Sequence, residues 1–83
     1  MIRFYLKALI EDKQFQQGKR IRMEDIAQDT GIHRTTLSKI VNVRGYNTTT
    51  DVVDKLCRYF DGCPIEKLVQ YVPDEDVAVR TEG

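Results

Sequence analysis

The window MEDIAQDTGIHRTTLSKIVN, from Met23 to Asn42, leaves this chain few ways to fold. Its apolar side chains, Ile26, Ile32, Leu37 and Ile40, fall where two short helices joined by a turn would face a common core. Ala27 stands where the helices would cross, and its small side chain lets the backbones approach. Gly31 stands where the turn demands a left-handed backbone, which glycine adopts without a Cβ penalty. The pattern predicts helices over roughly Met23–Asp29 and His33–Asn42, a helix–turn–helix. Such a pair serves mainly to set its second helix in the major groove of DNA. Both helix starts are poorly capped, because Arg22 and His33 occupy positions that favour Ser, Thr, Asp or Asn. Glu24 and Asp25 compensate in part, placing negative charge in the first turn.

Three further helices are expected around this window. Ile2, Tyr5, Leu6, Leu9 and Ile10 recur at helical spacing and form one apolar stripe of a first helix. The pattern fades through Gln14–Gln17, and Gly18, Lys19 and Arg20 read as a basic loop. Beyond Asn42, VRGYN is a loop, and Thr48, Thr49 and Thr50 are each suited to cap a following helix. That helix carries Val53, Leu56, Cys57 and Phe60 on one face and stops at Asp61-Gly62. Pro64 suits the first turn of a short fifth helix, whose Ile65, Leu68 and Val69 would close the core, with Tyr71 and Val72 over it. The expectation is a compact all-α domain of five helices over residues 1–73, with no strand needed. Residues 74–83 form an acidic tail, disordered or engaged in dimer contact, in which Val77-Ala78-Val79 is suited to pairing with another chain.

Eighty-three residues hold one small domain with a single core. No apolar run reaches the roughly 20 residues of a membrane span, and the opening MIRFYLKALIEDK is too interrupted by charge for a signal peptide. The cytoplasm is therefore the expected compartment. Cys57 and Cys63 make no disulfide framework, and with His33 as the only histidine no tetrahedral metal set is present. Small buried apolar groups is the reading for both thiols, and neither metal nor cofactor is expected.

A net charge of zero sits awkwardly with nucleic-acid binding, but the charge is unevenly spread. Residues 1–46 hold nine Lys/Arg against five acids, and residues 47–83 hold four against eight. The basic half contains the helix–turn–helix; chance clustering is the competing explanation, since the imbalance is modest.

On the second helix of the window, Leu37, Ile40 and Val41 define the buried face, so Thr35, Ser38, Lys39 and Asn42 point outward with Arg34 at the flank. No acid interrupts this face. Arg34 offers a bidentate fork to guanine, and Lys39 does so with less geometric definition. Asn42 suits an adenine or a phosphate, while Thr35 and Ser38 can donate to either. Arg44, just beyond the helix, is placed for phosphates or an adjacent minor groove. Asn47, Thr48 and Thr49 precede the fourth helix, where capping and anion contact can coexist. Tyr46 reads equally as a lid on the core or as a phosphate-binding hydroxyl.

Over about Met1 to Pro73, the chain resembles the lambda repressor/Cro-like, or XRE-type, helix–turn–helix domains of bacterial and phage regulators. The likeness is strongest in MEDIAQDTGIHRTTLSKIVN and the following RGYNTTTDVVDKLCRYFDGCPIEKLVQYVPDE, which look like the Cro/C1-type subgroup. The resemblance implies a five-helix bundle whose third helix reads the major groove. By position it assigns base-facing roles to Arg34, Thr35, Ser38 and Lys39, and backbone contacts to Asn47 and Thr48. Two positions depart from the pattern: Met23 stands where relatives often carry a phosphate-gripping glutamine, and His33 replaces a Ser or Thr cap. With no sensing domain expected, the chain is similar to a minimal Cro-style regulator.

The resulting expectation is a sequence-specific double-stranded DNA-binding transcriptional regulator, homodimeric on a two-fold site. A rival reading is an antitoxin or other protein-binding module whose acidic C-terminal half grips a basic partner. An enzyme is disfavoured, because no His/Asp, Cys/His or phosphate-cradling glycine constellation is present.

Overall fold

Leu6, Ile26, Leu37, Leu56 and Leu68, one from each of five helices, are fully withdrawn from solvent. They belong to one buried cluster, completed by Ile10, Ile21, Ile32, Ile40 and Phe60. The computed structural model describes residues 1–73. In order the elements are β1 (Ile2–Phe4), α1 (Leu6–Gln17), α2 (Met23–Thr30), α3 (Arg34–Asn42), α4 (Thr50–Tyr59), α5 (Ile65–Leu68) and β2 (Val69–Tyr71). The five expected helices are present, and residues 74–83, with the expected tail contacts, lie outside the described residues.

The two strands correct the expectation that none was needed. Ile2–Phe4 pairs antiparallel with Val69–Tyr71, Ile2 opposite Tyr71, Arg3 opposite Gln70 and Phe4 opposite Val69. Helical spacing had placed Ile2 in the first helix and Val69 in the fifth. Both are claimed instead by the ladder, which satisfies the main-chain groups of two segments that are remote in sequence. The ladder is extended at each end. The Met1 ammonium donates to the Val72 carbonyl at 2.7 Å, the Val72 N–H donates to Met1 O at 2.9 Å, and the Tyr5 N–H donates to Leu68 O at 2.7 Å. The Tyr5 hydroxyl also reaches the Gln70 side chain across the strands.

The ladder leaves Ile2, 39% exposed, outside the core, and α5 turns Ile65 outward, 56% exposed. Ile65 was expected to close the core, but the four-residue helix inserts only Leu68. Tyr71, also expected over the core, is exposed, while Val72 is half-buried. Cys57 and Cys63, expected as buried groups, are half-buried thiols against the core margin.

Loop anchors do the rest. Gly18, in a left-handed conformation (φ 69°), ends α1 through an N–H to Gln14 O bond of 2.8 Å. The helix thus runs through the stretch where its apolar pattern fades. The Gln14 side chain accepts from the Ile21 N–H at 2.9 Å, which holds the basic loop close enough to bury Ile21. Lys13 Nζ donates to Tyr59 O at 2.9 Å and lies 4.4 Å from the Tyr59 ring centroid, tying α1 to the end of α4.

Two consequences are measurable. Leu56→Ala should cost about 2–5 kcal/mol in urea unfolding, because the site is closed on all sides. Burial, with Asp29 and Asp25 nearby, pushes the Tyr59 phenol up. The unfolded chain therefore loses its phenolic proton first. This contribution is fully present below the unfolded value near 10 and declines as the pH rises through the folded value. Tyr59→Phe should flatten the alkaline fall of Tm, and an unchanged slope would dismiss Tyr59 as its source.

Candidate nucleic-acid interface

The turn between α2 and α3 is built by two residues. Gly31 (φ 78°) donates its N–H to Ala27 O at 2.8 Å, and nothing lies within 4 Å of where a Cβ would stand. Backbone conformation, not space, is what requires glycine here. Beside it, the Thr30 hydroxyl donates to Ile26 O at 2.6 Å and accepts from the Ile32 N–H at 3.2 Å. Thr30 lies off the apolar pattern that marks the two helices, although a hydroxyl one residue before a turn glycine is a recognisable local capping signal. Together these bonds deliver Ile32 into the core and start α3 at Arg34.

The weak caps are as expected. Neither Arg22 nor His33 makes a side-chain capping bond. At α2 the deficit is partly met in reverse, since Asp25 Oδ2 accepts from the Arg22 N–H at 3.0 Å. At α3 no acid occupies the first turn, so its free N–H groups stand beside Arg34 at the positive end of the helix dipole.

Burial of Leu37 and Ile40 sets the rotation of α3. At 100° per residue, Arg34, Ser38, Asn42, Thr35 and Lys39 then span an arc of about 140° on the opposite side. Arg34, Thr35, Lys39 and Asn42 are exposed; Ser38 is half-buried. Asn42 Nδ2 donates to Ser38 Oγ at 3.2 Å, which orients the amide along the helix. Val41, placed on the inner side by spacing, is half-buried at the edge of the core.

Arg44 is exposed in the turn that follows α3. That turn closes through Val43 N–H to Lys39 O at 2.8 Å and Tyr46 N–H to Val43 O at 3.2 Å. Gly45 there has φ 69°, and a Cβ on it would stand 3.2 Å from Met1 Sδ, so the amino terminus braces this loop. Tyr46 is half-buried against the core, in line with its reading as a lid. Of the three threonines suited to cap α4, Thr49 does so, its Oγ1 accepting from the Val52 N–H at 3.2 Å. Asn47 is exposed and Thr48 half-buried just ahead of it.

The outer face of α3 carries no acid of its own, but the fold brings one to it from α2. Glu24 lies 3.7 Å from the Arg34 guanidinium and 3.9 Å from that of Arg22. With Arg20, these three side chains line one shallow cleft at the start of α2. Sequence spacing gave no sign of this, since Glu24 and Arg34 lie on different helices. Among the described residues, no group of three or more His, Cys, Asp or Glu is placed to hold a metal. Nor is any helix among them long and apolar enough to cross a membrane.

Residues 8–74 match the family model described as the Cro/C1-type HTH DNA-binding domain. No curated protein matches the chain. Because position 31 requires glycine for its backbone conformation and not for space, Gly31→Ala should lower unfolding stability by about 1–2 kcal/mol without local rearrangement. A thermal melt superimposable on the parent would refute the strain argument.

Proposed function

The chain belongs to the Cro/C1-type helix–turn–helix DNA-binding domain family, and from that premise we propose that it is a sequence-specific transcriptional regulator. It binds double-stranded DNA as a homodimer, with α3 in the major groove. The observation that carries this reading is the outward arc of α3, polar and basic over its whole length and free of acids of its own.

On this reading Arg34, at the N-terminal end of α3 where base edges come closest, forks onto guanine. Thr35, Ser38 and Lys39 meet neighbouring bases, and Asn42, oriented by Ser38, takes an adenine edge or a phosphate. Arg44 neutralises a phosphate or enters the adjacent minor groove. Asn47 and Thr48 hold the backbone ahead of the α4 amino terminus, where free N–H groups favour an anion. Met23 supplies no phosphate grip at the start of α2, and the nearby Arg20 and Arg22 provide positive charge in its place.

One such arc contacts few base pairs, and two-fold pairing would double the site with half-sites about 34–36 Å apart. The α5–β2 end offers an apolar surface for this, with Ile65 and Tyr71 exposed and Ile2 directly opposite Tyr71 in the ladder. The function is binding, not catalysis, and the cytoplasm is its proposed compartment.

Selection from random duplexes tests the reading and should return a two-fold symmetric motif. Arg34→Ala should cost about 1–3 kcal/mol on that motif and relax one base pair, whereas Lys39→Ala should also reduce the salt dependence. If both variants bind the selected site like the parent, this face of α3 is not the reading surface.

A further inference from the structure

We propose that Glu24 is a specificity-determining positioning residue: it holds the Arg34 guanidinium toward one base and lowers affinity for DNA of any other sequence. The inference rests on the DNA-binding reading above and deepens it.

The placement is specific. Arg34 is the first residue of α3, and Glu24 is the second of α2. The Gly31 turn folds the two helix starts together, so that Glu24 Oε2 stands 3.7 Å from Arg34 and Oε1 stands 3.9 Å from Arg22. One carboxylate thus lies between two guanidinium groups. All three side chains are more than half exposed, so these pairs contribute little to folding stability. A carboxylate there is also costly for a polyanion binder, because it sits among the arginines that would meet phosphates.

The chemistry of the pair gives that cost a use. An arginine has five donors in a planar fork, and a free one swings between a phosphate and any acceptor in the groove. A carboxylate beside one edge of the fork, at ion-pair distance, biases the guanidinium toward that side and leaves the other edge for a bidentate contact such as guanine O6 and N7. It also repels a phosphate that would draw Arg34 away from the bases. On non-cognate DNA the guanidinium finds no matching acceptor pair, stays with Glu24, and the carboxylate opposes binding.

Glu24→Gln keeps the size of the side chain and removes its charge. It is to be measured on the full chain, with the selected duplex, its single-base variants and an unrelated duplex, over a range of salt. Binding to the unrelated duplex should rise, with a salt slope steeper by up to about one phosphate contact. Preference for the cognate base at the Arg34 position should fall by up to about fivefold, with other positions unaffected. In an Arg34→Ala background the same substitution should leave base preference unchanged, since the group it positions is gone.

Thermal melts of each variant report folding, and an exposed charge at this site should move Tm little. If Glu24→Gln leaves base preference intact, or shifts it equally without Arg34, Glu24 does not position Arg34 and the proposal falls. If the parent protein selects no sequence at all, the regulator reading falls first, an outcome distinct from the loss of Glu24's role alone.

Discussion

The rotational setting of α3 decides which of its side chains face outward, and two buried side chains, Leu37 and Ile40, impose it. A nine-residue helix has little stability of its own in water, so its orientation comes from whatever it buries. Leu37 and Ile40 enter a core to which each of the other helices contributes at least one residue. A shift of the helix by one residue would put Thr36 and Lys39, or Ser38 and Val41, at the inward positions, burying a hydroxyl or an ammonium in an apolar core. The polar arc from Arg34 to Asn42 is therefore a by-product of core packing, and it is as rigid as that packing.

The remaining elements hold that setting from the outside. Thr30 and Gly31 determine how α3 leaves α2, and the Met1 side chain supports the turn by which the chain leaves α3. Met1 is itself fastened by paired bonds to Val72, at the far end of the ladder. A small sheet far from α3 in sequence thus holds the Met1 side chain against the loop that carries Arg44. The same nonlocal packing brings Glu24 to Arg34, so the arc's electrostatics are set partly by a helix that contributes nothing to its surface. The charge split between the two halves of the chain describes the long-range field. The Glu24 contact adds one local negative charge beside Arg34 and Arg22 within that basic half.

Residues within a turn or two of one another were readable in advance. Ile26, Ile32, Leu37, Ile40, Leu56 and Phe60 lie where their spacing placed them, and Gly31 takes the left-handed conformation its position demanded. Spacing failed at the two ends of the domain. Ile2 and Val69 each continue a helical pattern, yet both extend, because a three-residue ladder satisfies more main-chain groups than an extra helical turn at a frayed end would. Ile65 was misplaced for a related reason: with β2 claiming the chain at Val69, α5 has room for one inward residue, and Leu68 takes it.

From the order of its residues alone, the chain settles five helices, the glycine turn, the family to which it belongs and the identity of the outward side chains on α3. All of these follow from interactions between neighbours on one helix or across one turn, where periodicity and backbone preference act directly. The pairing of the termini, the choice of Thr49 over its neighbours as the α4 cap, and the meeting of Glu24 with Arg22 and Arg34 were decided by the packed chain. The sheet and the Glu24–Arg34 contact join groups that no local pattern links, and the cap depends on where packing lets α4 begin, so each needs the assembled core to become definite.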